Sequence, residues 1–530
     1  MVTDNIPTWV RWCLTAFALG VLLRVSGYSQ QISPPSIEWQ RVFGGSEREE
    51  LPALQQTRDG GFVFGAISES PPGGGNKTAP NYGGADYWIV RLDAQGNALW
   101  EQSFGGYRPD YFSSLQETVD GGFIIGGGSW STNDGNKTTE HFGSHSTADF
   151  WVLRLDSSGN RIWERNYGGT ADDYLHKVEQ TADGGFFLFG RSGSTVSGNK
   201  TAAPRGGYDY WVVRLDSNGQ KLWEKVYGGT LHDLAWNAQL ITDGGLVLVG
   251  GSISQPGGTK SSANYGDYDF WVVRLNANGS QLWERSFGGT GNDTAFCVKQ
   301  TPAGGFVVAG RSASPPSGNK TSPLMDNWDF WVVWMDTNGN KVSEQSFGGT
   351  ANEYPYSLDI TRDGGVILGG WSSSPVSGTK TATNYGAADY WVVRLDADGN
   401  KLWEATYGGS RTDELHCLQQ TRDGGFLLGG KSWSSDGTKP PPHYGFGDCW
   451  VIKLGPEQPR LQLSGRPFGP GGLRLLLTGI KNLTYAVEYS SDLNTWSTLQ
   501  TNTMSSALLE LSDPGMTNAT QRFYRARLVE

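Results

Sequence analysis

Residues 167–190 read YGGTADDYLHKVEQTADGGFFLFG, and residues 209–223 read DYWVVRLDSNGQKLW. Variants of these two stretches recur seven times along the chain, and their Phe/Tyr-Gly-Gly anchor marks each unit. The anchor stands at 43–45, 104–106, 167–169, 227–229, 287–289, 347–349 and 407–409. A fixed period near 60 residues predicts an array in which each unit is one supersecondary element.

Each unit contains four short segments of strand character, separated by Asp-Gly-Gly and Asp-x-x-Gly-Asn turn signals. In the first complete unit these segments are 51–57, 61–68, 87–92 and 98–104. Four strands in each of seven units predict an all-β fold, a seven-bladed β-propeller. The alternative is a parallel β-helix, whose rungs are usually shorter and need no recurrent Trp.

The two ends of the array are incomplete in a complementary way. The last unit stops after its third strand, at 450–454, and an orphan strand at 37–43 carries the Trp and Phe-Gly-Gly that end every other unit. We expect this N-terminal strand to complete the last blade, which would join the ends of the propeller and remove two exposed sheet edges.

Outside the array, the chain divides into three further segments. Residues 1–29 contain Arg11 followed by an apolar run at 13–23, too short to cross a bilayer, and this pattern is typical of a cleaved signal peptide. The propeller is expected at 37–455, a linker with an opening strand at 456–470, and a small β-sandwich of immunoglobulin or fibronectin type at 471–530.

The two repeat stretches quoted above resemble the SBBP-type β-propeller repeat of secreted bacterial proteins, and this resemblance covers residues 37–455. Members of that group are described by architecture, so the resemblance implies an extracytoplasmic binding or scaffold protein and supplies no catalytic residues. The stretches TYAVEYSSDLNTWSTL at 484–499 and RFYRAR at 522–527 resemble a tail module of secreted bacterial proteins.

Composition excludes several function classes. The formal net charge of −11 argues against a nucleic-acid partner, which needs a basic face. Removal of the signal would leave Cys297, Cys417 and Cys449, which we expect as buried free thiols rather than a disulfide framework. No Cys/His cluster or cofactor motif occurs, so neither a metal nor a cofactor is predicted. The 22 Trp residues are expected to pack between neighbouring blades.

An acid follows each Gly-Gly anchor by four residues, on the face that carries the long, variable loops between the second and third strands. These acids are Glu49, Asp110, Asp173, Asp233, Asp293, Glu353 and Asp413. They either tie the loops to the blades, together with a lysine in each loop, or form a ring of carboxylates that binds sugar hydroxyls or a cation. The lysines would repel calcium, which disfavours the cation.

Three residues beyond the acid, the units differ from one another. The aromatic and imidazole side chains at this place are His176, Trp236, Phe296, Tyr356 and His416. They form a mixed ligand-binding surface if they face the channel mouth, or core if they face the blade interfaces. Loop aromatics such as Trp328 are a second candidate surface.

These features together predict a secreted, non-catalytic binding or adhesion module. The mature chain is expected to be monomeric and to have no transmembrane segment. Its expected partner is an extracellular glycan or a surface protein, bound on the long-loop face. The alternatives are a carbohydrate-active hydrolase or lyase that uses carboxylates of the same face, and a purely structural scaffold. No catalytic constellation is recognisable, so the prediction is that the protein is not an enzyme.

Overall fold

The structure is a computed structural model that describes residues 33–464, 473–506, 508–515 and 522–529. The predicted signal peptide, 1–29, lies outside the described residues, as do the last part of the predicted linker and the first two residues of the predicted sandwich. Within the described ranges, no helix has the length and apolar character needed to cross a bilayer.

Seven four-stranded antiparallel sheets follow one another along the chain. We call the strands of each sheet A, B, C and D, in the order in which they are paired. Sheet 1 is β2 (Glu49–Gln56), β3 (Phe62–Ser68), β4 (Asp86–Leu92) and β5 (Ala98–Phe104). Sheet 2 is β6 (Asp110–Glu117), β7 (Phe123–Ser129), β8 (Asp149–Leu155) and β9 (Arg161–Tyr167). Sheet 3 is β10 (Asp173–Gln180), β11 (Phe186–Ser192), β12 (Asp209–Leu215) and β13 (Lys221–Tyr227). Sheet 4 is β14 (Asp233–Leu240), β15 (Leu246–Ser252), β16 (Asp269–Leu275) and β17 (Gln281–Phe287).

The remaining sheets repeat this pattern. Sheet 5 is β18 (Asp293–Gln300), β19 (Phe306–Ser312), β20 (Asp329–Met335) and β21 (Lys341–Phe347). Sheet 6 is β22 (Glu353–Ile360), β23 (Val366–Ser372), β24 (Asp389–Leu395) and β25 (Lys401–Tyr407). Sheet 7 is β26 (Asp413–Gln420), β27 (Phe426–Ser432), β28 (Asp448–Leu454) and β1 (Ile37–Phe43).

The first strand of the chain completes the last sheet. Strand β1 runs antiparallel to β28, with Phe43 opposite Cys449 and Gln40 opposite Ile452. The A strands of sheets 7 and 1 also meet, because Gln419 Oε1 accepts the backbone N–H of Gln56 at 2.9 Å. The predicted closing strand is therefore confirmed, and the sheets form a closed, propeller-like array.

The core lies between neighbouring sheets. Six of the seven C strands are buried along their whole length, and β20 is buried except at Trp334, which explains their largely apolar sequences. The Trp at the third position of each C strand is fully buried against the preceding sheet: the Tyr87 and Trp151 ring centroids lie 4.9 Å apart, and Tyr87 Oη donates to the Trp151 carbonyl. The predicted packing of these Trp residues between sheets is confirmed.

Five of the seven sheets are also tied by an arginine of strand C and the aspartate of the Asp-Gly-Gly turn, and in sheet 7 Lys453 pairs with Asp423 in the same way. Arg91 Nη2 lies 2.5 Å from Asp59, and the same pair recurs in sheets 2, 3, 4 and 6. Sheet 5 has Ala303 and Trp334 at these two positions, so both partners have been replaced together. A joint replacement leaves no buried charge without a partner.

The C-terminal segment forms two further three-stranded sheets, ordered β29-β30-β33 and β32-β31-β34. Their strands are β29 (Arg460–Ser464), β30 (Leu473–Thr478), β31 (Thr484–Ser490), β32 (Ser497–Thr503), β33 (Leu508–Asp513) and β34 (Phe523–Leu528). Leu475, Leu477 and Val487 are at the centre of their shared apolar core. Ile480 and Leu483 of this segment also pack against the core of sheets 6 and 7.

The three cysteines are buried and free, as predicted. Burial raises the pKa of the Cys297 thiol to about 12. It also raises the thiol pKa values of Cys417 and Cys449 well above their ordinary value. These thiols are therefore protonated at neutral pH and are poor nucleophiles.

Candidate functional site

The seven repeated acids are the first residues of the A strands, and none has accessible surface. All are 0% exposed: Glu49, Asp110, Asp173, Asp233, Asp293, Glu353 and Asp413. Asp173 shows their contacts, because its Oδ2 accepts the N–H of Gly169 at 2.8 Å and the hydroxyl of Ser194 at 2.7 Å. These carboxylates hold the Gly-Gly anchor and the start of the long loop, so they do not form the open ring that ligand binding would require.

A second buried carboxylate accompanies each of these acids. At the junction of sheets 1 and 2, Asp86 and Asp110 flank Gly105, where an added Cβ would lie 1.8 Å from Asp86 Oδ1. Burial raises the pKa of Asp86 to about 7, helped by the charge of Asp110 and opposed by the Tyr82 N–H. Burial likewise raises the pKa of Asp110 to about 6. Glycine is required at this position because no side chain fits beside the carboxylate pair.

The loop lysines have the structural role that the sequence offered as one of two interpretations. Lys200 Nζ donates to the carbonyls of Ser194 at 2.7 Å and Ala202 at 2.8 Å, and it lies 5.9 Å from the Trp211 ring centroid. Equivalent contacts recur at Lys77, Lys137 and Lys380. Each lysine therefore folds its loop over the C-strand Trp and is not available to a ligand.

The residues that differ between units occupy β-bulges in the A strands. In sheet 3 the ladder pairs Leu175 with Gly190 and then Lys177 with Phe189, so His176 has no partner on strand B. Corresponding shifts occur at the same place in the other six A strands. A bulge turns the side chain of its extra residue away from the sheet face. Here that rotation directs it toward the central channel.

The channel contains a cavity of about 290 Å³, and bulge residues line one end of it. Five of the bulge side chains are in continuous ring contact around this end. Ring centroids are separated by 5.2 Å for His176–Trp236, 5.2 Å for Trp236–Phe296, 5.5 Å for Phe296–Tyr356 and 5.1 Å for Tyr356–His416. His176, Tyr356 and His416 line the cavity together with Pro52 and Ser113, whereas Trp236 and Phe296 belong to the ring contact without lining the cavity. We call this end of the cavity the channel mouth.

Two polar atoms of the channel mouth lack partners. His176 Nε2 and Trp236 Nε1 are buried and make no hydrogen bond to a described residue. His176 is surrounded by protein yet keeps some accessible surface, because it lines the cavity. Burial lowers its pKa well below the ordinary value, and the Arg191 charge acts in the same direction. The imidazole is therefore neutral at neutral pH.

On the other side of the mouth, His416 lies in a charged cluster. Its ring nitrogens are 3.7 Å from Glu50 and 3.4 Å from Glu414, and Lys431 Nζ is 3.4 and 3.1 Å from the same two carboxylates. The pKa values of Glu50 and Glu414 are lowered, because their interactions with His416 and Lys431, and that of Glu50 with Arg48, outweigh burial, which alone would raise them. Lys431 therefore has two carboxylate partners.

Deeper in the channel, a polar belt joins neighbouring A strands. Gln116 Oε1 accepts the N–H of Gln180 at 2.6 Å, and Glu179 Oε2 accepts the N–H of Leu240 at 2.5 Å. Lys299 interrupts the belt and instead lies 3.1 Å from Asp359. The seven belt residues are Gln55, Gln116, Glu179, Gln239, Lys299, Asp359 and Gln419. The belt fixes the distance between sheets where the channel is lined by A strands.

The structure therefore brings His176, Trp236, Phe296, Tyr356 and His416 together at one opening and places the seven acids inside the sheet junctions. Sequence reasoning missed the penultimate residues of the B strands, which include Arg191, Arg311 and Lys431. The available signal was their variation between otherwise uniform repeats. Among the described residues, no group of three or more His, Cys, Asp or Glu side chains is arranged to hold a metal ion.

No family model matches the chain. Over 177 residues it is 27% identical to the regulatory protein FlaEY of Caulobacter vibrioides, covering 32% of this chain and 18% of that protein. The chain thus spans less than a fifth of this relative's length.

Distant similarities to solved structures concern the fold. Puromycin hydrolase has a TM-score of 0.45 and 12% identity, with 82% of this chain and 60% of that chain covered. A protein described as a gluconolactonase has a TM-score of 0.32 and 11% identity, with 66% and 91% covered. Cobalt-substituted ACO of Synechocystis has a TM-score of 0.35 and 12% identity, with 72% and 96% covered.

The predicted function, a secreted non-catalytic module that binds a polysaccharide or a surface protein on its long-loop face, was wrong. The solved structures of related fold are named as enzymes, not adhesion proteins. The prediction also relied on the repeated acids as a surface, and these are buried. The comparison assigns no activity to this chain, and the prediction that it is not an enzyme stays a prediction.

Proposed function

We propose that the protein is a seven-bladed β-propeller that binds a small planar organic molecule at its channel mouth. The contacts would come from His176, Trp236, Phe296, Tyr356 and His416. The observation that carries this proposal is the continuous set of aromatic and imidazole rings at the bulges, of which His176, Tyr356 and His416 line one cavity. We also propose an immunoglobulin-type sandwich for the C-terminal sheets. Export and the monomeric state stay predictions.

The size of the cavity supports a small ligand. About 290 Å³ lies near the lower end of the ~300–1,000 Å³ typical of small-molecule pockets. The surrounding A strands are joined by the polar belt, and Lys299 pairs with Asp359 across two of them. An opening of this size suits one ring system with a polar substituent better than an extended polymer.

The unpartnered nitrogens support a ligand with polar atoms. A buried N–H without an acceptor costs about 1–3 kcal/mol, and native proteins rarely leave one in that state. Trp236 Nε1–H can donate to a ligand oxygen, and His176 Nε2 can accept or donate according to its tautomer. Both lie on the side of the mouth where the aromatic rings are continuous.

Fluorine NMR with matched fluorinated aromatic fragments tests this function. The fragments include 4-fluorobenzoate and 4-fluorobenzyl alcohol, and binding is measured from line broadening during titration. We expect dissociation constants in the millimolar range or lower, and Trp236→Ser should weaken both probes, because base stacking on one aromatic ring is worth about 1–3 kcal/mol in comparable sites. Serine already occupies the same bulge at Ser113, so the substitution suits the backbone.

Leu222→Ser provides the matched control, since Leu222 is 58% exposed on an outer strand. It should leave both titrations unchanged. Equal binding to the wild type and to Trp236→Ser would place any fragment elsewhere and reject the channel mouth as the site. Failure of every fragment to bind would reject the proposed function.

A further inference from the structure

Two arginines stand at the channel mouth without a counter-ion. Arg191 and Arg311 are the penultimate residues of β11 and β19, where they lie opposite Tyr174 and Thr294. Lys431 has the same position in β27 but lies opposite Glu414, with which it forms an ion pair. The repeat therefore accommodates a paired cation at this place in sheet 7 and unpaired ones in sheets 3 and 5.

Aromatic rings hold both guanidinium groups. The Arg191 guanidinium carbon is 4.7 Å from the Tyr174 ring centroid and 5.5 Å from that of Trp236. The Arg311 carbon is 4.1 Å from the Trp328 centroid, 4.7 Å from Tyr354 and 5.7 Å from Phe296. These aromatic contacts hold each guanidinium plane in place without using its N–H donors.

The donors of these two groups are free within the described part of the chain. The Nε atoms of Arg191 and Arg311 are buried and have no hydrogen-bond partner there. Asp172 is the nearest acid to contribute to Arg191, but its carboxylate accepts from the Ala148 N–H and the Tyr208 hydroxyl. Burial lowers the pKa of Arg191 more than these neighbours raise it.

The arginines of the C strands that pair with a turn aspartate, which we call the framework arginines, show how a guanidinium with hydrogen-bond partners is arranged in this chain. Arg91, Arg154 and Arg214 each place Nη2 within 2.6 Å of a turn aspartate and donate Nη1 to backbone carbonyls. A partly buried cation without such partners is costly, so a protein that keeps two of them at one opening gains when an anion binds. Planar guanidinium donors match a carboxylate or a phosphate.

We propose that the ligand of the channel mouth is an organic anion whose acidic group is bound by Arg191 or Arg311. This inference rests on the proposed function and adds the ligand's charge. Arg191 contacts the Trp236 ring and Arg311 contacts the Phe296 ring, and these two rings, 5.2 Å apart, provide the contact for an aromatic body.

The experiment compares 4-fluorobenzoate with uncharged 4-fluorobenzyl alcohol on the full chain, again by fluorine NMR. Arg191→Ile and Arg311→Ile use the residue that the repeat has in sheet 1, Ile67. The variant of the arginine that binds the acidic group should weaken benzoate binding about 10- to 100-fold, as expected for a lost charge-assisted hydrogen bond, and both variants should change alcohol binding less than about 3-fold. Arg285→Ile removes an arginine stacked on Trp283 of an outer strand and should change neither. Unchanged benzoate binding in both Arg191→Ile and Arg311→Ile would overturn the inference.

A measurement on the unmodified protein complements the variants. Raising the salt concentration from about 20 to 500 mM should weaken benzoate binding and leave the alcohol unchanged, because screening acts only on the charged probe. Equal affinity of the two probes, or parallel loss of both in the arginine variants, would overturn the anion inference while leaving the small-molecule site intact. If no fragment binds to the wild type, both the anion inference and the small-molecule site are overturned.

Discussion

Arg394 joins sheet 6 to the C-terminal segment through two carboxylates, and removing it should destabilise the protein strongly. Its guanidinium lies 2.8 Å from Asp363 and 3.1 Å from Glu457, and all three side chains are almost completely buried, at 0%, 2% and 6% exposed. Glu457 also accepts the Trp403 indole N–H at 2.5 Å. No other framework arginine has two carboxylate partners among the described residues.

Arg394→Ala leaves two buried acids without a cation, and breaking such a group costs about 3–5 kcal/mol. The repeat supplies the control, because Arg91 makes the same turn contact with an Asp59 that is 68% exposed. Water can solvate Asp59 after Arg91→Ala, so this control should cost only about 1 kcal/mol. Equilibrium urea unfolding of both variants, followed by tryptophan fluorescence, measures the difference.

The pH dependence of the free energy of unfolding provides a second test of the same variant. Burial already raises the pKa of Glu457 even though Arg394 opposes it, so loss of the arginine raises that pKa further. A raised folded-state pKa stabilises the protein at low pH, and this stabilisation is lost as the pH rises through it. The cost of Arg394→Ala should therefore be smaller at pH 5 than at pH 8. Equal costs for Arg394→Ala and Arg91→Ala, at either pH, would refute the reasoning.

Three further results are expected. The free energy of unfolding should fall by at least about 2 kcal/mol between pH 5 and 8. The reason is that Asp86 and Asp110 have pKa values of about 7 and 6 in the folded state but near 3.8 in the unfolded state. Denaturant titrations across this pH range would show the fall, and a flat profile would contradict it. Introducing the missing ion pair of sheet 5 with Ala303→Asp and Trp334→Arg should destabilise the protein by about 1–3 kcal/mol in urea unfolding, and adding Ser343→Trp should recover most of the loss. For protein that begins at Gln30 and so lacks Cys13, the native form should not react with a thiol reagent such as DTNB at pH 8, whereas protein in urea should release about three equivalents from Cys297, Cys417 and Cys449.

The sheet 5 prediction follows from an exchange between two strands. Trp334 and Ser343 are directly opposite in the ladder of sheet 5. In the other sheets an arginine of strand C lies opposite a tryptophan of strand D, as Arg91 lies opposite Trp100, and in sheet 7 Lys453 lies opposite Trp39. The tryptophan of a D strand normally covers the turn glycine of the next sheet, as Trp100 covers Gly159. In sheet 5 the nearest indole to Gly399 is that of Trp334, so the same cover is provided from strand C.

Much of the fold could be predicted because the sequence repeats its own pattern. The alternation of apolar runs with Asp-Gly-Gly and Asp-x-x-Gly turns fixes strand lengths within about two residues, and β1 begins and ends where the orphan strand was expected. The buried Trp of each C strand follows from its apolar surroundings. The A strand of sheet 1 begins two residues before its predicted start, at the acid Glu49, and ends one residue before its predicted end.

The candidate site was predicted only in part. The sequence singled out the position of His176 and Trp236 because it varies between repeats, but it left open whether these side chains face the channel or the core. The bulge decides this, and a bulge depends on the pairing of two strands rather than on local composition.

By itself, the sequence determined the repeat, its four strands per unit, the closing N-terminal strand and the buried thiols, since each depends on local pattern or on composition. Only the tertiary structure decided that the repeated acids are buried in carboxylate pairs and that Arg191 and Arg311 lack counter-ions. Those properties depend on which residues of neighbouring sheets meet. A repeat period states that the sheets are alike, whereas the electrostatics of the channel mouth arise where they differ.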